Sequence, residues 1–153
     1  MFIFSIEETE VRTFMDKLFR CDTFDKLEVK SLVLETNVKF DILGNINKDY
    51  LEEGEERCYV RWSELKHNIF DLIKGGKKPK QLKIVFIPDR NTISAIHKNA
   101  ASLSLNLSYE NDVIIGTTGT SQKKFSLDKS LDNTWENTIK KFFKKNNIAI
   151  KEG

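Results

Sequence analysis

MFIFSI (1–6) running into EETEVRTFMDKLF (7–19), and ERCYVRW (56–62) running into SELKHNIFDLIKGG (63–76), are the stretches that decide the fold. Each places a short strand-like run directly before an amphipathic one and is followed by alternating sequence. In the first, Val11, Phe14, Met15, Leu18 and Phe19 recur at helical spacing and form one apolar stripe. Glu7, Glu8 and Glu10 stand at its start, where the helix dipole favours carboxylates, and Asp22-Thr23 breaks it. In the second, Ser63 reads as the N-cap and Leu65, Ile69, Leu72 and Ile73 as the buried stripe. Lys74, Gly75 and Gly76 read as its stop, reinforced by Pro79.

Outward from these units the pattern is mostly strand. Leu27 to Ile46 alternates in short stretches, with Val38, Phe40 and Ile42 on one face, a turn at Glu35-Thr36-Asn37 and a bulge at Gly44. LEEGEER (51–57) reads as a solvated acidic loop, and Tyr59 to Trp62 as a short strand. The continuous apolar run Ile84 to Ile87 predicts a strand covered on both faces. Residues 89–100 read equally as a loop or a single helical turn. Leu103, Leu105, Leu107 and Tyr109 alternate strictly with polar residues, so this strand has one dry and one wet face. Asn111-Asp112 suits the positive φ of a tight hairpin, Val113 to Thr118 pairs back, and Lys124 to Leu127 reads as a further strand. The last helix starts near Ser130, with Leu131, Trp135, Ile139, Phe142 and Phe143 as its stripe.

Composition bounds the function classes. A chain of 153 residues is one domain by length and buries roughly 70% of its extended surface. Its 25 basic and 23 acidic residues leave a net charge of +2, so an electrostatic partner must be met by a local patch. No run has the length of a membrane span, and the apolar start is too short for a secretory signal. Cys21 and Cys58 read as reduced thiols of a cytoplasmic chain.

Candidate chemistry is sparse. GTTGTSQKK (116–124) offers glycines, hydroxyls, Lys123 and Lys124 to an anion, but lacks the Gly-Lys-Ser/Thr of a phosphate loop; the ordinary reading is a Thr-rich strand and its turn. Glu64, His67 and Asp71 share a helical face without the second His or Cys of a strong zinc site, and His97 has no such neighbours. Two basic clusters remain: Lys74, Lys77, Lys78 and Lys80, and Lys140, Lys141, Lys144 and Lys145. They are candidate phosphate contacts, although cations at helix C-termini also answer the dipole. No catalytic, cofactor or metal motif is present, and the sequence implies no cofactor.

The element order, strand, helix, three strands, helix, four strands, resembles one domain of a DNA sliding clamp over residues 1–127, with residues 128–153 as a C-terminal helix and tail. That resemblance implies the fold rather than duplex binding, because the polar faces of both helices mix cations with carboxylates. More closely, EVRTFMDKLF, RWSELKHNIFDLIKG and GTTGTSQKKFSLDKSLDNTWENTIKKFF resemble a family of short uncharacterised proteins from Clostridia and related bacteria, which implies no activity. The reading is a single α+β domain (1–153) whose antiparallel strands form one or two sheets, with two helices on one face and the third across an edge or the other side. A non-enzymatic binding or assembly role fits best, with self-pairing through strand edges or weak contact to nucleic acid, and no membrane. The alternatives are a nucleotide- or phosphate-handling enzyme centred on Gly116 to Lys124, and a nucleic-acid-binding module using the lysine clusters.

Overall fold

Phe4 and Ile6 point the same way along an extended chain, and both are fully buried in strand β1 (Ile3–Ile6). The computed structural model describes residues 1–73 and 77–153; Lys74, Gly75 and Gly76, read above as the end of the second helix, lie outside them. Helix α1 (Glu8–Phe19) buries Val11, Phe14 and Leu18 and carries Glu8 and Glu10 in its first turn, as the stripe and the dipole require.

Strands β2 (Glu28–Glu35), β3 (Lys39–Leu43), β4 (Val60–Arg61), β5 (Gln81–Ile87), β6 (Ala100–Glu110), β7 (Val113–Gln122) and β8 (Lys151–Glu152) join β1 in one sheet. Its order is β3-β2-β5-β6-β7-β1-β8, every pairing is antiparallel, and β4 continues the β2 edge where β3 leaves it. Asn111 and Asp112 close the β6–β7 hairpin at φ of 54° and 62°, the geometry that matches strand twist. The fold is thus α+β, a sheet with helices α2 (Trp62–Ile73), α3 (Arg90–Ile96) and α4 (Ser130–Lys145) besides α1. Among the described residues no helix is long and apolar enough to cross a membrane.

One face of the sheet is dry. Leu103, Leu105, Leu107 and Tyr109 of β6 lie there, while Asn106 on the opposite face bonds Thr117 instead. Helices α1, α2 and α4 meet the dry face through rings. Phe24, in the turn after α1, stacks on Phe86 at 5.5 Å, and Phe14 of α1 and Phe142 of α4 meet it edge-on, also at 5.5 Å. Trp62 stands perpendicular to Phe86 at 5.6 Å and donates its indole N–H to the Leu18 carbonyl at 2.7 Å. That bond satisfies one of the carbonyls that the last turn of α1 cannot pair internally.

The structure corrects five readings. Helix α2 begins at Trp62, so Ser63 lies inside its first turn; the start is held by Glu64, whose carboxylate accepts the Arg61 N–H at 2.9 Å. Its buried residues are Trp62, Lys66 and Ile69, whereas Leu72 is 38% exposed. The face is set by Trp62 and, one turn on, by Lys66, whose ammonium donates to Asp25 at 2.7 Å and to the Cys21 carbonyl at 2.9 Å. Strand β5 is not covered on both faces: Leu82, Ile84 and Phe86 are buried, while Val85 and Ile87 are half-exposed on the other side. Lys124 to Leu127 is not a strand, because Gln122 engages both backbone groups of Ser126 and folds the chain back, leaving Phe125 and Leu127 exposed. Finally, α4 lies on the same dry face as α1, with Phe143 against Phe4 at 5.1 Å. Residues 89–100 resolve into α3, capped by Asp89, whose side chain accepts the Thr92 N–H at 2.8 Å.

Two stability losses are expected in chemical denaturation. Phe14→Ala should cost about 3–5 kcal/mol through lost burial and the cavity left behind. Trp62→Phe should cost about 1–3 kcal/mol or more, since the buried Leu18 carbonyl loses its donor.

Candidate functional site

A one-residue irregularity creates the site. Between Val29 and Ser31 the register of β2 against β5 shifts, so Lys30 is the extra residue of a bulge. In an unbroken strand, Glu28 would share a face with Leu32 and Leu34. With the bulge, Val29, Leu32 and Leu34 are the ones buried in the core, and Glu28 turns away from it. Gly44 packs directly against this kink: a Cβ there would sit 1.6 Å from the Val29 carbonyl oxygen, so no side chain fits. The bulge expected at Gly44 is therefore in the neighbouring strand, and Gly44 is the residue that lets the chain approach it.

At this end of the sheet β2 begins, β5 ends and β6 begins, so the connections 44–59 and 88–99 rise beside one another. Between them lies a cleft of about 810 Å³. It is lined by Glu28 and Lys30 of β2, Gly54 to Tyr59 and Arg61, Ile87 to Asn91, Ile93 and Ser94, Ala100 to Leu103, and Lys123. Charge is mixed: Lys30, Arg57, Arg61, Arg90 and Lys123 face Glu28, Glu55, Glu56 and Asp89.

These groups differ in how far they are committed. Arg57 is bound on three sides, with Nε donating to Glu55 at 2.9 Å, Nη2 to Glu64 at 2.8 Å and Nη1 to the Tyr59 carbonyl at 3.2 Å. It is a structural clamp holding the acidic loop to the start of α2, and its hydrogen bond is the main reason that the Glu55 and Glu64 carboxyls lie below the ordinary range. LEEGEER is thus not simply a solvated run of like charges. Arg61 reaches Glu55 only at 3.8 Å, and Lys30, Arg90 and Lys123 form no ion pair among the described residues.

Glu28 is the unusual member. It is 6% exposed and directly opposite Arg61 in the β2–β4 ladder, yet Arg61 turns to Glu55 instead. Glu28 makes no ion pair or hydrogen bond through its side chain among the described residues, and its oxygens open to the cleft rather than being sealed in the core. Its carboxyl is raised above the ordinary value, first by burial and then by the charge of Asp89, with Arg57, Arg61 and Arg90 opposing.

The residues singled out from sequence fall elsewhere, with one exception. Lys123 lines the cleft, while Lys124 is held through its backbone by Asn99. Lys78 pairs with Asp112 at 2.8 Å, Lys80 with Glu35 at 3.5 Å and Lys140 with Glu152 at 2.6 Å. Those partners leave the two clusters fewer free cations, and Lys74 is outside the described residues. In the stretch 116–124 the Thr118 hydroxyl accepts the Phe2 N–H, Thr120 donates to Asp132, and Gly116 makes room for the Phe4 ring, which a Cβ would meet at 2.0 Å. Glu64 is taken by Arg57, and no three metal-ligating side chains converge among the described residues.

One constellation that sequence did not reveal is Asp128, Ser130 and His97. The Ser130 hydroxyl lies 3.0 Å from His97 Nε2 and 3.1 Å from Asp128 Oδ2, a spacing suited to an activated nucleophile. The protons run the wrong way. His97 Nδ1 accepts the Asn99 N–H at 3.0 Å, so the neutral ring carries its hydrogen on Nε2 and donates to Ser130, which in turn donates to Asp128. This trio fixes the start of α4 and is not a base–nucleophile pair.

A carboxyl raised in the folded state contributes stability that is complete below its unfolded pKa and is lost as pH rises through the folded one. Glu28→Gln should therefore raise the melting temperature at neutral pH, with the gain shrinking to nothing in mild acid, as scanning calorimetry across pH would show.

Neither the curated proteins nor the solved structures contain a match to this sequence. The profile of a family of unknown function (DUF5721) matches residues 17–151, which takes in every strand from β2 to β7, helices α2 to α4 and all the lining of the cleft. The chain belongs to that family.

Proposed function

We propose that this protein is a binding domain for a small organic anion, held in the cleft between residues 44–59 and 88–99. The observation that carries the reading is the convergence of Lys30, Arg61, Arg90 and Lys123 on one concavity with their donors largely unspent. Unpaired cations scattered on a surface are ordinary. Four around a cleft of about 810 Å³, against the carboxylates of Glu56 and Asp89, leave an excess of positive charge that favours a negative ligand, and the volume lies within the usual range for small molecules. Arginine contributes planar, two-pronged donors suited to carboxylate, sulfate and phosphate groups. Ile87 and Ile93 supply apolar wall for an organic body. We read the chemistry as that of a receptor, since among the described residues no hydrogen-bonded base–nucleophile pair lines the cleft.

The test uses inorganic sulfate, benzenedisulfonate and adenosine monophosphate as probes. Saturable binding should raise the melting temperature, by about 2.7 kcal/mol in stability at a hundredfold excess over Kd. Cys58 is exposed at the rim and reports occupancy: in a Cys21→Ser background, its reaction with an aromatic disulfide reagent should slow when the cleft is filled. Replacing Arg61 and Arg90 together with Ala should weaken binding at least tenfold while leaving the fold intact. Absence of both stabilisation and Cys58 protection with every probe would refute the reading.

A further inference from the structure

A cleft built only to attract anions would not place a buried acid on its floor. Glu28 sits there with the cations around it, and an ionised carboxylate in that position would repel the ligand they attract. The groups facing it are Arg61 from β4, Arg57 from the preceding loop, and Asp89 and Arg90 from the start of α3; Ile87, its ladder partner on β5, offers no charge. None of them bonds the carboxyl, and Asp89, bound to the Thr92 N–H, remains an acceptor that adds negative charge. Burying an ionised carboxylate without a partner is costly, so this position favours the protonated form more than open solvent does.

We propose that the cleft takes up its anion together with one proton, held on Glu28, so that the neutral acid donates a hydrogen bond to the bound ligand. This rests on the anion-binding reading above. The geometry supports it in three ways. The acid lies opposite Arg61 in the ladder and forms no ion pair with it, its side chain lines the ligand space, and the bulge at Lys30 with its glycine contact exists at the point that turns Glu28 out of the core. The direction of the linkage follows. A bound anion raises the carboxyl further, so binding draws a proton from solvent and affinity rises as pH falls.

Sulfate and benzenedisulfonate keep their charge across the working range and so isolate the protein's proton. With the wild-type chain, affinity should rise by up to about tenfold per pH unit as pH falls from neutral toward mild acid, the limit for one linked proton. Calorimetric heats in two buffers of different ionisation enthalpy should show proton uptake directly, independently of any variant. Glu28→Gln keeps the shape and a donor but cannot titrate. It should bind with flat pH dependence and, at neutral pH, at least as tightly as wild type. Wild-type binding that is flat, or that strengthens as pH rises, would overturn the proton-linked proposal and leave anion binding standing. No binding by either protein at any pH would overturn both.

Discussion

The hydrogen bond from the Trp62 indole to the Leu18 carbonyl is the tie on which the rest of this structure depends. It joins the end of α1 to the beginning of α2, and in doing so fixes where β4 can lie. Trp62 immediately follows Arg61, so the same placement that seats the indole against Phe86 and Phe19 sets Arg61 opposite Glu28 in the β2 ladder. Lys66, one turn later, repeats the attachment through Asp25 and the Cys21 carbonyl. Core packing and site geometry are therefore one arrangement viewed from two faces of the sheet.

The bulge at Lys30 is the second constraint. A strand that buries one face cannot slip by a residue without exchanging that face, so an inserted residue separates the two ends of β2. Beyond the bulge, β2 serves the core through Leu32 and Leu34. Before it, the strand still buries Val29 but presents Glu28 to the cleft. Gly44 and the bulge are mutually dependent, because only a residue without Cβ can lie against the displaced Val29 carbonyl.

Much of the fold is legible in the sequence because it rests on local pattern. The stripe Val11, Phe14, Leu18, the alternation from Leu103 to Tyr109 and the Asn111-Asp112 turn each carry their own signal, and each is found as read. The readings that differ are those decided by distant partners. The buried side of α2 is set by Leu18, Cys21 and Asp25, more than forty residues away in the chain, so periodicity alone placed Leu72 inside. The run Ile84 to Ile87 is apolar throughout, which cannot tell a strand covered twice from one covered once. The cleft was hidden for a related reason. Its cations are single residues from separate segments, and the lysine runs that draw the eye in sequence are partly neutralised by Asp112, Glu35 and Glu152. The clue in the sequence is Glu28 itself, a carboxylate directly beside Val29 at the start of the strand that supplies Leu32 and Leu34 to the core.

The most direct test of this account is the titration of the Glu28 side-chain carboxyl, followed by its carbon chemical shift in the free protein and with sulfate present. The account requires the free carboxyl to titrate above the ordinary glutamate value of about 4.3, and to move higher still when the anion is bound. A Glu28 that titrates at the ordinary value and is unmoved by the anion would contradict it, placing the side chain in open solvent and the cations around an empty purpose.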